Sequence, residues 1–288
     1  MEQRIITRID VMMLLALNIF SSLSGIFKYQ FMQHAFEAGT VVAIVAGIIG
    51  YLVILRRSAF ATHAFAEIGF AGAAGAVLLG VSPVLGLLSA STLGGIGIAI
   101  LGNRASHRDI EIGAVLAFML GLGVLFISLY TGYATEAYSI LFGEILGISA
   151  ANVLLTLVIS AAILFVAALV YRPMLFASLD EEVAEAKGMR TVLLGAIFMV
   201  LLAASVAIAV QVVGVLLIFA LMVIPAATAV RLTKKPLYAI VISVAIALLA
   251  TWAGLLIAFF EPYPVSFFIT SIVFGLYLLV RLIYRSQR

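Results

Sequence analysis

Cysteine is absent from the 288 residues, so neither disulfides nor thiolate metal sites are available to this chain. Charge is nearly as scarce, with Asp, Glu, Lys and Arg making up 10% of the sequence. A soluble domain of this length would spread charge over its surface, and here there is too little to do so. Polar stretches are short as well. The longest interruption of apolar sequence runs from Tyr171 to Arg190 and leaves no room for a nucleotide-binding fold. Neither a Gly-rich phosphate loop of Walker type nor a His-Glu-x-x-His pattern occurs, so nucleotide hydrolysis within the chain and zinc-protease chemistry of that kind lack support. What is present is hydrophobic: 65% of residues, with a mean hydropathy of +1.30. The lipid bilayer is the solvent for such a chain, and no nucleic acid partner is expected.

A hydrocarbon core about 30 Å thick needs about 20 apolar residues in a helix. Runs of about that length, bounded by charge, Pro or Gly, fall at 11–27, 39–55, 59–80, 84–101, 112–132, 151–170, 192–210, 212–230, 237–259 and 265–280. The fold class expected is an all-α integral membrane protein, a polytopic bundle of about 8–10 transmembrane helices forming one domain over 1–288. Numbering the breaks alternately sorts the cations: every Lys and Arg but Lys28 falls on one side. The positive-inside bias then puts both termini in the cytoplasm. The first run follows Arg4 and Arg8 as a signal peptide would, but lacks a small-x-small cleavage pattern and reads as a retained helix. The stretch 136–150 is too short for two further spans and reads as a re-entrant or interfacial piece on the outer side. Gly69, Gly72 and Gly75 recur every third residue and fit close helix packing, as do Gly94, Gly95, Gly97 and Gly102 in the next run.

An ionisable side chain at membrane depth is costly unless it meets a partner or water, which makes His63 and Glu67 candidates for function. Four residues apart on one helix, they share a face one turn apart. An imidazole nitrogen and a carboxylate oxygen at that spacing suit a divalent cation such as Zn²⁺ or Mn²⁺, and Thr62 adds a hydroxyl beside them. The alternative at this point is a buried hydrogen-bonded pair that only ties two helices together. His34 and Glu37, in "FMQHAFEAG", read as a surface pair in a short outer segment. His107 sits in a charged loop where solvation explains it. Gln211 stands at the outer boundary of its span. Pro225 interrupts "LLIFALMVIPAATAV", where a kink with or without a gating role fits.

On the cytoplasmic side, Ser178 followed three residues later by Glu181 has the form of a capping box, and Gly188 supplies a stop. The segment 178–188 is expected to form a helix of about nine residues. Leu179, Val183 and Ala186 would line one face, with Asp180, Glu181, Glu182 and Glu185 on the others. It is too short to be stable alone and is anionic where cations are favoured. Both features fit an element on which a soluble partner docks, and an ordinary capped surface helix is the plainer alternative.

Four stretches together resemble the membrane permease of ATP-binding-cassette importers for zinc, manganese or iron: "FMQHAFEAG" with "GYLVILRRSAFATHA", "SILFGEILGIS", "SLDEEVAEAKGM" and "QVVGVLLIFALMVIPAATA". The resemblance implies an all-helical permease that pairs as a homodimer and binds a cytoplasmic dimer of ATPase subunits. It also implies that metal arrives from an extracytoplasmic solute-binding protein, at a bacterial cytoplasmic membrane. The permease would not itself be an enzyme, would hold no permanent cofactor and would pass on a divalent metal ion. The acidic helix would couple ATPase closure to the spans. One departure is local: the family's pattern carries an aspartate four residues before the histidine, and here "AFATHA" places Ala59 there. Glu67, one turn beyond His63, is expected to replace the missing carboxylate.

Without that resemblance two other readings stand beside a metal permease. A secondary transporter driven by protons through His63 and Glu67 would use the same pair. An intramembrane metalloenzyme is weaker, because no nucleophile and no three-ligand constellation is evident.

Overall fold

The computed structural model describes residues 25–101, 108–130, 143 and 145–285. The expected first span therefore lies almost wholly outside the described residues, as do His107 and most of the 136–150 piece. The elements are helices: α1 (Gln30–Leu55), α2 (Ala59–Leu78), α3 (Pro83–Leu101), α4 (Arg108–Leu129), α5 (Ala150–Leu179), α6 (Glu181–Ala186), α7 (Thr191–Val213), α8 (Val215–Leu232), α9 (Pro236–Phe260) and α10 (Val265–Arg285). Eight of these are long and apolar enough to cross a membrane, namely all but α3 and α6. The chain is thus an all-helical, multi-pass membrane protein.

Apolar side chains face both ways in this bundle, inward to neighbouring helices and outward to lipid. Val42, Ala46, Ile49 and Phe65 are buried with Phe198, Leu202, Val206 and Leu221 in one continuous core. Phe118, Leu125, Leu157, Phe165, Leu249, Leu279 and Leu282 are exposed on the outer faces of α4, α5, α9 and α10. In water such faces would be an aggregation hazard; in hydrocarbon they are the solvated surface. Inside, helix association depends on close backbone approach rather than on a hydrophobic drive. The glycines of α2 supply it: Gly72 meets Gly86 of α3 so closely that a Cβ on either would collide with the other's carbonyl oxygen.

The chain reversals gather the cations. Arg56 and Arg57 follow α1, Arg231 and Lys234 end α8, and Arg281 lies near the end of α10. Ile54, Arg231, Lys234 and Arg281 line one cavity, so these termini share one end of the bundle, here named the basic end. Lys28 lies elsewhere, with Tyr29 against Phe259 at the far end of α9.

Three expectations need correction. "FMQHAFEAG" is helical, within the first turns of α1, because no Pro interrupts it and Gly39 packs against Thr251 and Leu255. The span expected to end at 170 continues through Pro173 to Leu179. Met174 and Ala177 are buried beyond the proline, and their packing holds a helix that a lost hydrogen bond would otherwise weaken. The third concerns the acidic helix and is taken up below. The described part of the 136–150 piece folds back onto the bundle: Ile145 and Ile148 join the core, and Gly143 (φ +78°) packs against the backbone of Val213 and Gly214.

Candidate functional site

α2 follows α1 after three residues, and the chain turns there with Arg57 in the left-handed region (φ 53°). The reversal is closed by hydrogen bonds from the Arg57 amide to the Ile54 carbonyl (3.2 Å) and from the Ser58 amide to the Val53 carbonyl (2.9 Å). α2 is rich in alanine and largely buried, so what it carries is enclosed by other helices rather than by lipid. His63 and Glu67 sit on its second and third turns. Glu67 is 8% exposed; His63 is half-buried and meets the Phe219 ring of α8 in a T-shaped arrangement, with ring centroids 6.2 Å apart. Thr62 is fully buried, and its hydroxyl has no hydrogen-bond partner among the described residues. Ser91 of α3 closes the far side of the same helix by donating to the Phe65 carbonyl (3.3 Å).

A carboxylate and an imidazole one turn apart in a buried, alanine-lined setting can hold a divalent cation, share a proton, or bond to each other. Among the described residues no group of three His, Cys, Asp or Glu side chains comes together. Among the described residues, His63 and Glu67 of α2 are thus a pair without a third such side chain beside them.

Gln211 is in the last turn of α7, and both polar atoms of its amide are buried without a hydrogen-bond partner among the described residues. Three residues on, Gly214 (φ 85°, ψ 163°) is the single residue between α7 and α8. That conformation is essentially restricted to glycine. Pro225 is buried within α8, where its missing N–H leaves the Leu221 carbonyl without its helical donor, and Thr228 donates to the Ile224 carbonyl nearby (2.8 Å). Gly50 of α1 lies against the Met222 carbonyl, so two helices touch one turn before the proline.

The acidic helix α6 is shorter than expected and capped by a different residue. Asp180, not Ser178, is the N-cap: its carboxylate accepts from the Val183 amide at 3.0 Å. Ser178 belongs to the last turn of α5 and donates to the Met174 carbonyl, the back-bond open to a helical serine. The stop at Gly188 is as expected, with φ +76° and paired bonds from Gly188 to the Glu185 carbonyl (2.8 Å) and from Met189 to the Ala184 carbonyl (3.1 Å). Those are the two bonds of a Schellman motif. The buried face is also different: Ala184 packs with Ala177 and Leu194, whereas Leu179 (68%) and Val183 (42%) are exposed. Glu185 accepts from the Thr191 hydroxyl at 2.6 Å, which ties α6 to the start of α7. Glu181, Glu182 and Ala186 remain exposed.

Sequence reasoning missed the contact that joins these two regions. Arg56, at the turn before α2, donates to the Ser178 hydroxyl (3.2 Å) and lies over the Phe198 ring of α7 at 5.1 Å. The two polar partners are 122 residues apart, so no local pattern announces them.

The ABC 3 transport family matches residues 28–284. The manganese transport system membrane protein MntC of Listeria monocytogenes is 31% identical over 214 residues, covering 74% of this chain and 76% of its own length. The manganese import system permease protein ScaB of Streptococcus parasanguinis is 30% identical over 238 residues, with 82% and 85% covered. Among solved structures, PsaBC from Streptococcus pneumoniae in complex with Fab superposes with a TM-score of 0.81 at 30% identity, over 91% of this chain and 95% of that one.

Proposed function

The chain belongs to the ABC 3 transport family, and on that footing we propose that it is the membrane permease of an ABC importer that carries a divalent transition metal ion inward. The observation that carries this reading is the pair on α2: Glu67 buried and His63 half-buried, one turn apart, inside an otherwise apolar bundle. A carboxylate is retained in such a place at high cost unless it has an ion to meet. Neutral imidazole and carboxylate, with neither Cys nor Met beside them, suit Mn²⁺, Zn²⁺ or Fe²⁺. Manganese takes precedence because two relatives are named for it. Glu67 stands in for the aspartate of the family pattern, and a second copy of the chain supplies the remaining ligands as a homodimer.

ATP hydrolysis belongs to a separate pair of cytoplasmic subunits, and α6 is where they dock. Leu179 and Val183 are exposed four residues apart, beside Asp180, Glu181 and Glu182. An apolar pair with an acidic rim in water fits a complementary groove on a soluble partner. A solute-binding protein delivers the metal at the opposite end. In this reading the basic end and both termini face the cytoplasm of a bacterial cell, and the chain forms one transmembrane domain.

Proteoliposomes containing the permease and its co-purified ATPase are expected to take up manganese with ATP inside the cytoplasmic-facing compartment, and not without it. Uptake by the permease alone, driven by a pH gradient, would instead establish a proton-coupled carrier.

A further inference from the structure

A cavity of about 1080 Å³ opens at the basic end, between the last turns of α8 and α10 and the end of α1. Its polar rim consists of Arg231, Lys234 and Arg281, with Thr233 beside them. No carboxylate lines it, and none of the three cations has an ion pair among the described residues. The Arg231 guanidinium carbon instead lies over the Tyr277 ring, 5.6 Å from its centre, a cation–π contact. The inner wall is apolar, formed by Ile54, Ala227 and Val230. Tyr277, Arg281 and Tyr284 recur at helical spacing along α10, while Leu278, Leu279, Leu282 and Ile283 of the same turns are exposed as lipid-facing side chains.

Unpaired cations over an apolar wall, beside two tyrosines and a lipid-facing helix, match the two halves of a phospholipid. We propose that this cavity binds one anionic phospholipid of the surrounding leaflet. Arg231, Lys234 and Arg281 hold its phosphate and headgroup, and its acyl chains run along Val230 and the exposed leucines of α10. Positive charge near a membrane attracts anionic lipid in general. What sets this place apart is convergence: three exposed cations rim one cavity whose wall is apolar. The same charge without the apolar wall would suit free phosphate, and the flanking leucines favour the lipid. The inference needs only that the chain spans a membrane, so it stands or falls separately from the metal reading.

Native mass spectrometry of the full chain in mild detergent, with phosphatidylglycerol or phosphatidylcholine added, tests it directly. The wild-type chain is expected to retain one phosphatidylglycerol in preference to phosphatidylcholine. Arg231→Gln/Arg281→Gln should lose that retention by about tenfold, while Arg172→Gln/Arg190→Gln, which removes equal charge at the same end, stays within about twofold. Should the first double variant fail to fold, Val230→Trp fills the apolar wall, keeps every cation and is expected to lose the lipid as well. Equal retention of the two lipids, equal losses in both double variants, or displacement of phosphatidylglycerol by millimolar inorganic phosphate overturns the proposal.

Discussion

At the scale of single residues, the account turns on two side chains one turn apart and a contact made across the fold. Removing the imidazole in His63→Ala should abolish manganese uptake by the reconstituted importer, because α2 then keeps one of the two ligands proposed for it. Ala59→Asp should be tolerated, since it adds a carboxylate one turn before His63 on the same face. Arg56 belongs to a different class of effect. Its guanidinium bridges the start of α2 and the end of α5, so Arg56→Ala should leave the ATPase bound and active while lowering metal moved per ATP. Arg56→Lys keeps the charge but not the planar fork, and is expected to recover part of that coupling. A purely structural role would lower expression and ATPase binding together. His63 and Glu67 were legible in the sequence because helical periodicity alone places them on one face. The partnership of Arg56 with Ser178 was not, because tertiary folding brings them together over 122 residues.

At the scale of elements, the termini of helices mattered more than their middles. Ser178 and Asp180 compete for one cap, and a sequence pattern gives no way to see that α5 runs on through Pro173 and claims Ser178 for its own last turn. Asp180→Ala should therefore weaken α6 by about 1 kcal/mol, read as faster amide exchange at 181–186, while Ser178→Ala leaves that exchange unchanged. Leu179→Asp and Val183→Asp alter exposed side chains and should leave the fold intact while the ATPase no longer co-purifies. The α7–α8 break is legible as a glycine but not as a conformation. Since Gly214 holds φ 85° and ψ 163°, Gly214→Ala should destabilise the protein by roughly 1–3 kcal/mol, measured as a lower unfolding temperature in detergent.

At the scale of the whole molecule, the alternation of cations is the most informative property of the sequence, and the structure gives it a physical form. The ends of α1, α8 and α10 meet around one basic cavity, while Lys28 lies elsewhere. Hydropathy marked where spans would fall but not how they pack, because lipid-facing and core-facing residues are equally apolar; α4 and α1 share a mean hydropathy of 2.5 although one is bare and the other largely enclosed. The family match then supplies what neither composition nor geometry contains, a motor on another chain. The central claim is that Glu67 took over the role of a carboxylate one turn before His63, and moving the carboxylate back tests it most directly. In ATP-driven manganese uptake by the assembled transporter, Glu67→Gln should be inactive and Ala59→Asp/Glu67→Gln should regain uptake. Uptake by Glu67→Gln at the wild-type rate would contradict the account.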